Sequence, residues 1–382
     1  MVSSNNKTPR LLKRMVSFTP VQSTLGGILI GLSAAGTLLV HGRIAGISGM
    51  VHGLRDWSNV EDVKFRLTFL LGLVGGASLL AGAPGVVLLA GGASPVTVAL
   101  GLPLWRYAVA GLLVGAGTKL GHGCTSGHGV CGLGRLSVRS IVNVPTFLVA
   151  GILLASFTFD RGELLGVAPT TVPADGGEFA WQAVLVFVLP LIAIALAVKF
   201  NQPRVSHLTL GAVFGFGLEI SGMTEPTKVI GFLNVRSGHW DPSLMCVLGG
   251  AVLVSFASYR FKALSKLAAP MLDLKFSVST NTTIDVRLVL GGVLFGLGWA
   301  VGGFCPGPVA ANIFQLGYVA PTWLACMLIG GIVAQAVDHA IVLIVGAGTS
   351  SPGVATLPAS NMSVSDSAAF DSAASSELNC CG

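Results

Sequence analysis

Charged side chains are scarce in this sequence. Lys, Arg, Asp and Glu make up 10% of the 382 residues, whereas an ordinary soluble domain contains about 25%. Apolar residues make up 52%, and the mean hydropathy is +0.80. Because so little charge cannot cover the surface of a soluble protein of this size, we predict a polytopic membrane protein in contact with the lipid bilayer. The net charge of +6 indicates no nucleic-acid partner, because the basic residues lie at the ends of apolar runs.

Three further absences narrow the range of functions. No segment has the G-x-x-x-x-G-K-[ST] pattern, so direct coupling to ATP would need a partner protein. The seven cysteines, an odd number scattered through apolar sequence, do not resemble the framework of a secreted disulfide protein. The basic N-terminus precedes an apolar run without a small-residue cleavage site, so we expect the first helix to be retained.

Apolar runs of membrane-crossing length recur along the chain. A crossing helix needs about 20 apolar residues. Residues 86–102 are apolar but interrupted by Gly-Gly and Pro95; we interpret them as a loop or hairpin, with a tenth crossing as the alternative. The remaining runs predict nine crossings, near 24–40, 65–82, 106–122, 139–158, 181–200, 208–220, 243–261, 286–302 and 321–346.

Four other apolar stretches are too short to cross. Each is rich in Gly or Pro and follows a crossing segment: 44–54, 125–137, 225–235 and 306–316. Non-helical backbone persists at membrane depth only where protein or a water-filled cavity satisfies its polar groups. We therefore predict four re-entrant half-helices that line a central path, in an all-α polytopic membrane protein.

Basic residues indicate the orientation. Loops 42–64, 123–138, 199–207 and 261–285 carry Lys and Arg, whereas loop 160–180 carries four acidic residues and a single Arg. With nine crossings, the positive-inside rule places the N-terminus outside and the C-terminus in the cytosol. The basic N-terminus instead favours a tenth crossing with both ends inside. The C-terminus is cytosolic in both arrangements, and we expect the plasma membrane.

The chain contains an internal repeat. Residues 106–124 (RYAVAGLLVGAGTKLGHGC) and 287–305 (RLVLGGVLFGLGWAVGGFC) share seven identities in 19 positions at a constant offset of 181. The tetrapeptide ISGM also occurs twice, at 47–50 and 220–223. With nine crossings, an odd number of crossings separates equivalent points, so the halves are inverted. Inverted repeats with broken helices are an architecture of transporters.

This repeat divides the chain into five parts. Residues 347–382 are rich in Ser and Ala and contain no Lys or Arg, which is typical of a disordered tail. The parts are a basic segment 1–22, a first repeat 23–158, a linker 159–204 with one crossing, a second repeat 205–346 and the tail 347–382.

The stretch LGHGCTSGHGVCGLGR at 120–135 carries two Cys and two His. These side chains suit Zn²⁺, but in the second copy Gly303 replaces His122 and only the cysteine persists. Cys124 and Cys131 are seven residues apart, so they lack the C-x-x-C spacing of a redox pair. We therefore predict no metal and no cofactor.

Buried cysteines often behave as small apolar residues, which is our interpretation of Cys246 and Cys326. Cys124 and Cys305 differ, because each lies at a Gly-rich helix break. Free backbone N–H groups and the positive end of a helix attract anions there, and a thiol adds a weak donor.

Four segments resemble the YeeE/YedE family of sulphur-transport proteins: GHGCTSGHGVCGLGRLSVRS (121–140), VGGFCPGP (301–308), SGMTEPTKVIGFLNV (221–235) and GRIAGISG (42–49). The resemblance implies nine crossing and four short helices in an inverted, hourglass-like arrangement. It also implies uptake of thiosulfate, passed between cysteines whose thiols donate hydrogen bonds to its sulphur. Family members with a demonstrated relay have a third cysteine in the first short segment, whereas region 24–54 here has none.

The resemblance places Cys124 and Cys305 on the substrate path. Some of the other candidates have a second interpretation: Cys131 packs, His128 braces its loop, and Lys119 extends to the cytosolic interface. Glu219 is a candidate for proton coupling, or caps Thr224 or Lys228. The further path candidates are Gly123, Thr125, Ser126, His128, Cys131, Pro306, Gly307 and Lys119.

These observations predict a permease without enzymatic activity that imports thiosulfate or a related small inorganic anion. The alternatives are a permease for another sulphur or selenium species, a membrane protein that carries a persulfide on Cys124, and a subunit without transport of its own. A cytosolic sulphur-accepting partner is a further hypothesis.

Overall fold

A computed structural model describes residues 18–82, 102–158, 179–237 and 240–348, and every regular element in these ranges is a helix. In chain order the helices are α1 Pro20–His41, α2 Ile47–Gly53, α3 Val60–Gly82, α4 Leu104–Leu120, α5 Thr125–Gly132, α6 Val138–Thr158, α7 Phe179–Lys199, α8 Pro203–Ile220, α9 Pro226–Leu233, α10 Ser243–Leu264, α11 Val286–Gly302, α12 Pro306–Ala311 and α13 Val319–Gly348.

Each of four short helices lies between two longer helices along the chain. The elements α2, α5, α9 and α12 have six to eight residues each, and α5 is a π-helix. They lie in the four short apolar stretches, and a longer helix lies in each of the nine predicted crossing segments. Within the described ranges, five helices (α1, α3, α6, α10 and α13) are long and apolar enough to cross a membrane. Nine crossings stay a prediction. Residues 86–101 of the ambiguous segment and residues 349–382 of the tail lie outside the described residues.

Local sequence explains several helix ends. Proline occupies the first position of α8, α9 and α12, where its missing N–H costs no intrahelical bond. Gly42 ends α1 and Gly303 ends α11, both with left-handed backbone at φ 66° and 71°, a conformation that glycine adopts without a steric penalty. Asp285 caps α11 by accepting a hydrogen bond from the Leu288 N–H at 3.1 Å.

Helices of the two halves interleave. The helix α1 packs on α8 and α10, and α3 packs on α8; likewise α4 packs on α11 and α13, and α6 packs on α11. Glycines bring the backbones into contact: a Cβ on Gly115 of α4 would overlap the Met327 carbonyl of α13, and one on Gly296 of α11 would overlap the Phe147 carbonyl of α6. The long helices therefore form an interleaved bundle, joined by small-residue contacts.

The two sequence matches differ in their structural meaning. In the stretches 106–124 and 287–305, a 17-residue helix (α4 or α11) is followed by a cysteine that precedes a short helix. The ISGM copies do not mark equivalent positions. Residues 47–50 begin α2, whereas Ile220 ends α8 and the next three residues form a turn before α9. The interpretation of ISGM as a repeated element is therefore wrong.

Apolar side chains cover the outside of the bundle. Leu71 on α3 is 57% exposed and Leu253 on α10 is 70% exposed, and α6 and α13 present similar faces through Leu153 and Ile332. An apolar surface of this extent is unfavourable in water and suits lipid. Together with the five apolar helices, it makes the protein an integral membrane protein.

The connection 265–285 between α10 and α11 crosses one end of the bundle, and we refer to it as the strap. Its Met271 and Leu272 N–H groups donate to carbonyls at the end of α1, at 3.1 and 2.8 Å. Arg135 and Arg139, from the first half, donate to strap carbonyls. The strap therefore joins the second half to the first.

Candidate functional site

A cavity of about 470 Å³ lies where α5 and α12 begin. Its polar lining comes from residues 124–126 at the start of α5 and from Cys305 at the start of α12, beside Gly307. Most of the remaining wall is apolar and includes four aromatic side chains: Phe147, Phe214, Phe232 and Trp299. The cavity therefore combines a small polar patch with an apolar enclosure, which is typical of small-molecule sites.

The two cysteines of the repeat meet at this cavity. Cys124 and Cys305 are each 2% exposed. The Thr125 hydroxyl donates to the Cys305 sulphur at 3.5 Å, and the Cys124 sulphur lies 3.2 Å from the Ser126 hydroxyl oxygen. Thiols that are 181 residues apart in sequence thus share one hydrogen-bonding neighbourhood.

Backbone geometry adds further donors. Cys124 and Cys305 are the N-cap residues of α5 and α12, both with extended backbone. The first carbonyl bond within each element runs from His128 N to Cys124 O (2.8 Å) and from Val309 N to Cys305 O (3.2 Å). N–H groups that precede this first bond have no intrahelical partner, and the helix dipole makes this end positive. Both cysteines therefore occupy positions that suit an anion.

Ser126 connects three parts of the site. Its hydroxyl oxygen accepts a hydrogen bond from the Ile47 N–H at 3.1 Å, which ties the first residue of α2 to α5. The same hydroxyl contacts the Cys124 sulphur. Ser126 is therefore both a wall of the cavity and a link between two short helices.

His128 braces the turn before α5. Its Nε2 lies 2.8 Å from the Gly121 carbonyl oxygen and its Nδ1 lies 2.9 Å from the Ser140 hydroxyl. Because a carbonyl only accepts, Nε2 carries the proton and Nδ1 accepts from Ser140. Gly123 packs against the imidazole ring, where a Cβ would lie 2.8 Å from a ring carbon. With both nitrogens occupied, His128 positions the backbone beside Cys124 without lining the cavity.

Several other predicted path residues lie apart from the cavity wall. Cys131 is buried in the apolar core and contacts the Ala45 backbone. Lys119, at the end of α4, is a charged neighbour of His52 and Asp56. Pro306 is the first residue of α12 and follows Cys305 in the sequence. Of the predicted residues, the cavity brings together Cys124, Thr125, Ser126, Cys305 and Gly307.

Glu219 is buried at the end of α8. The Thr224 hydroxyl donates to its Oε2 at 3.3 Å. Lys228 does not pair with it: the ammonium donates to Thr19 Oγ1 at 2.6 Å and lies 3.6 Å from Asp241. Thr224 and, through a looser contact, Asn312 are therefore the polar neighbours of this carboxyl group.

The aromatic wall was not predicted. Phe147, Phe214 and Phe232 lie in apolar segments where aromatic residues are typical of the core, so the sequence holds no signal for them. For Trp299 the sequence holds a weak signal, because this residue lies within the second copy, six residues before Cys305. Within the described residues, no group of three or more His, Cys, Asp or Glu side chains is arranged to hold a metal ion.

Fold and site together define a helical integral membrane protein with a cavity at the starts of two short helices. A family model described as "Sulphur transport" matches residues 2–154, and one described as a "Family of unknown function" matches residues 204–342.

Relatives in Xylella fastidiosa carry the name "Probable transporter". One, from strain 9a5c, is 45% identical over 106 residues, which are 28% of this chain and 71% of the relative. Another, from strain Temecula1, is 46% identical over 133 residues, which are 35% of this chain and 90% of the relative. The chain belongs to the YeeE/YedE family of sulphur-transport proteins, and it is a membrane transporter.

Proposed function

We propose that this protein is a permease that imports thiosulfate, or a closely related sulphur anion, along a path that contains Cys124 and Cys305. The observation that carries the proposal is the meeting of these two thiols at one cavity, where Thr125 of the first half donates to Cys305 of the second at 3.5 Å. A cysteine that serves only packing has no need to recur at equivalent helix starts.

The halves 23–158 and 205–346 form, in this proposal, an inverted repeat with nine crossings. The packing supports it: α1 packs on α10 as α8 packs on α3, and α4 packs on α13 as α11 packs on α6. The strap and the other basic loops then face the cytosol, with the C-terminus on the same side. The protein acts in the plasma membrane, where it meets external anions.

The chemistry of the cavity suits a transient anion site. A sulphur dianion loses its hydration at membrane depth, which is costly unless fixed donors and dipoles replace the water. Thiols, hydroxyls and helix N-termini supply such donors, and none of the described residues that line the cavity is Lys or Arg. Because these neutral donors hold the ion weakly, it can leave as well as enter, as conduction requires.

The test is uptake of labelled thiosulfate by cells that lack their own thiosulfate importer. We expect Cys124→Ala and Cys305→Ala to reduce uptake at least about tenfold at matched membrane expression, which corresponds to about 1.4 kcal/mol of lost stabilisation along the path. Cys246→Ala and Cys326→Ala are matched controls, because these cysteines do not line the cavity. Uptake that survives in both cavity variants would show that the thiols only pack.

Competition in the same assay identifies the anion. Excess unlabelled thiosulfate must abolish the signal, and stronger inhibition by sulfite or a selenium anion would assign the site to that species instead. Mass spectrometry of the protein during turnover tests the alternative in which sulphur is transferred covalently. A persulfide detected on Cys124 would identify the protein as a covalent sulphur carrier.

A further inference from the structure

We propose that Glu219 binds a proton and couples proton entry to anion import. The inference rests on the proposed import of a sulphur anion, and it adds a driving force and a second site. An imported anion moves against an inside-negative potential, and each proton that travels with it cancels one negative charge.

Glu219 has an incomplete set of partners in a buried place. The residue is 6% exposed. Thr224 satisfies Oε2, but Oε1 is buried without a hydrogen-bond partner among the described residues. The Asn312 amide is the other polar side chain that reaches this carboxyl group, but the contact falls short of full hydrogen-bond geometry, so neither polar atom of the amide has a well-formed hydrogen bond in the described part of the chain. Buried polar groups are normally paired, so two incomplete neighbours indicate a site with a second state.

The amide of Asn312 suits both protonation states of the carboxyl group. A protonated carboxyl donates to the amide oxygen, whereas a carboxylate accepts from the amide NH₂. Rotation of the amide therefore provides a partner for Glu219 in either state. A proton joins the carboxylate oxygen from water on one side of the membrane and leaves it to water on the other; no covalent bond to the anion forms.

The same short helix contacts both sites. Cys305 is the N-cap residue of α12 and Asn312 is its C-cap residue. Leu218 and Met223, which flank Glu219 along the chain, line the cavity together with Gly307. An anion at the start of α12 and a proton at its end therefore act on one rigid element, which allows each to change the affinity for the other.

Few other charges face Glu219. Glu225 at the start of α9 is its charged neighbour, and beyond it Lys228 pairs with Asp241. The charged residues of α1 and α3 and the described part of α7 lie toward the opposite end of α8, and α12 has none. Of these two buried carboxyl groups, Glu225 has the Lys228 ammonium as a charged neighbour, whereas the neighbours of Glu219 are Thr224, Asn312 and Glu225 itself. Glu219 lies on the outer side in the proposed orientation.

The experiment uses the full chain in proteoliposomes with the membrane potential clamped. For one proton per anion, an inward gradient of about one pH unit raises the steady-state accumulation of labelled thiosulfate about tenfold. Glu219→Gln retains shape and polarity but cannot titrate, so we expect it to abolish this accumulation. Exchange of labelled for unlabelled thiosulfate without a gradient persists in the variant.

Two further variants sharpen the test. Glu219→Asp still titrates and should retain the response to the gradient, and Glu61→Gln removes an exposed carboxyl group and should behave as wild type. If the wild-type protein exchanges thiosulfate but its accumulation does not respond to the pH gradient, the proposed proton coupling is wrong and the proposed import of thiosulfate is unaffected. A Glu219→Gln variant that still accumulates the anion overturns the role of this residue. A wild type without any thiosulfate exchange overturns both proposals.

Discussion

The short helices α5 and α12 begin alike and then differ. Each follows a 17-residue helix and has a cysteine as its N-cap residue. In α5, three residues with N–H groups (125–127) precede the first carbonyl bond. In α12, the corresponding residues 306–308 are Pro-Gly-Pro, and proline has no N–H. The start of α5 thus presents three backbone donors, whereas α12 presents one.

In the proposed repeat, the two halves thus share a common frame of a long helix, a cysteine and a short helix, and they differ in the polar groups that they contribute. The first half contains hydroxyls, N–H groups and the His128 brace, and the second half contains the stiff Pro-Gly-Pro first turn of α12 and the neighbouring Glu219 and Asn312. We infer that an anion is held more strongly by α5 than by α12. Four predictions test the common frame and the divided chemistry.

The largest effect is expected at the glycines that belong to the common frame. Gly115→Leu and Gly296→Leu each place a side chain into a carbonyl of the neighbouring helix. Because a backbone cannot move aside cheaply, we expect a loss of about 3 kcal/mol or more in stability. Both variants should lose the monodisperse peak in detergent gel filtration. Gly75→Leu is the control, because no atom lies within 4 Å of its Cβ position; equal tolerance of all three variants would contradict close packing.

The next largest effect on stability is expected to differ between equivalent positions of the two halves. His128→Ala leaves the Gly121 carbonyl and the Ser140 hydroxyl without their partner, which costs about 2–6 kcal/mol at about 1–3 kcal/mol for each group. At the equivalent position, Val309→Ala removes only methyl groups and costs about 1–2 kcal/mol. Thermal unfolding in detergent measures both, and a Val309→Ala loss as large as that of His128→Ala would refute the brace.

A smaller effect is expected at the link between α2 and α5. Ser126→Ala removes the acceptor of the Ile47 N–H and the hydroxyl beside Cys124, so we expect about 1–2 kcal/mol of lost stability together with reduced uptake. The control is Ser156→Ala, which also removes a hydroxyl bonded to backbone but lies away from the cavity. If both variants transport equally, Ser126 is not part of the path.

The smallest effect concerns equivalent arginines. Arg287 pairs with Asp338 at 2.7 Å on a half-exposed surface, and such pairs contribute about 0.5 kcal/mol. Arg106 donates to the Val301 carbonyl at 3.1 Å in a half-buried place, where a charged donor contributes about 1.5 kcal/mol. Arg106→Gln should therefore lower the unfolding temperature more than Arg287→Gln. The reverse order would show that these positions do not differ as the contacts indicate.

The sequence predicted the positions of the helices better than the directions of side chains. Apolar runs and glycines mark where segments begin, and the offset of 181 pairs Cys124 with Cys305. Spacing alone could not tell that Cys131 turns into the core while Ser126 reaches Ile47, because α5 is a π-helix whose faces do not follow the usual period. The ISGM match misled because four identities contain no information on where a helix ends.

The interleaved packing restricts how this transporter can move. A rotation of one half against the other would separate α1 from α10 and α3 from α8 and detach the strap from the first half. Rocking of the two halves as rigid lobes would therefore break these helix contacts. We infer that access to the cavity alternates through rearrangement of the short helices and their side chains inside a stationary scaffold. Such a cycle displaces little mass and leaves the lipid-facing surface unchanged.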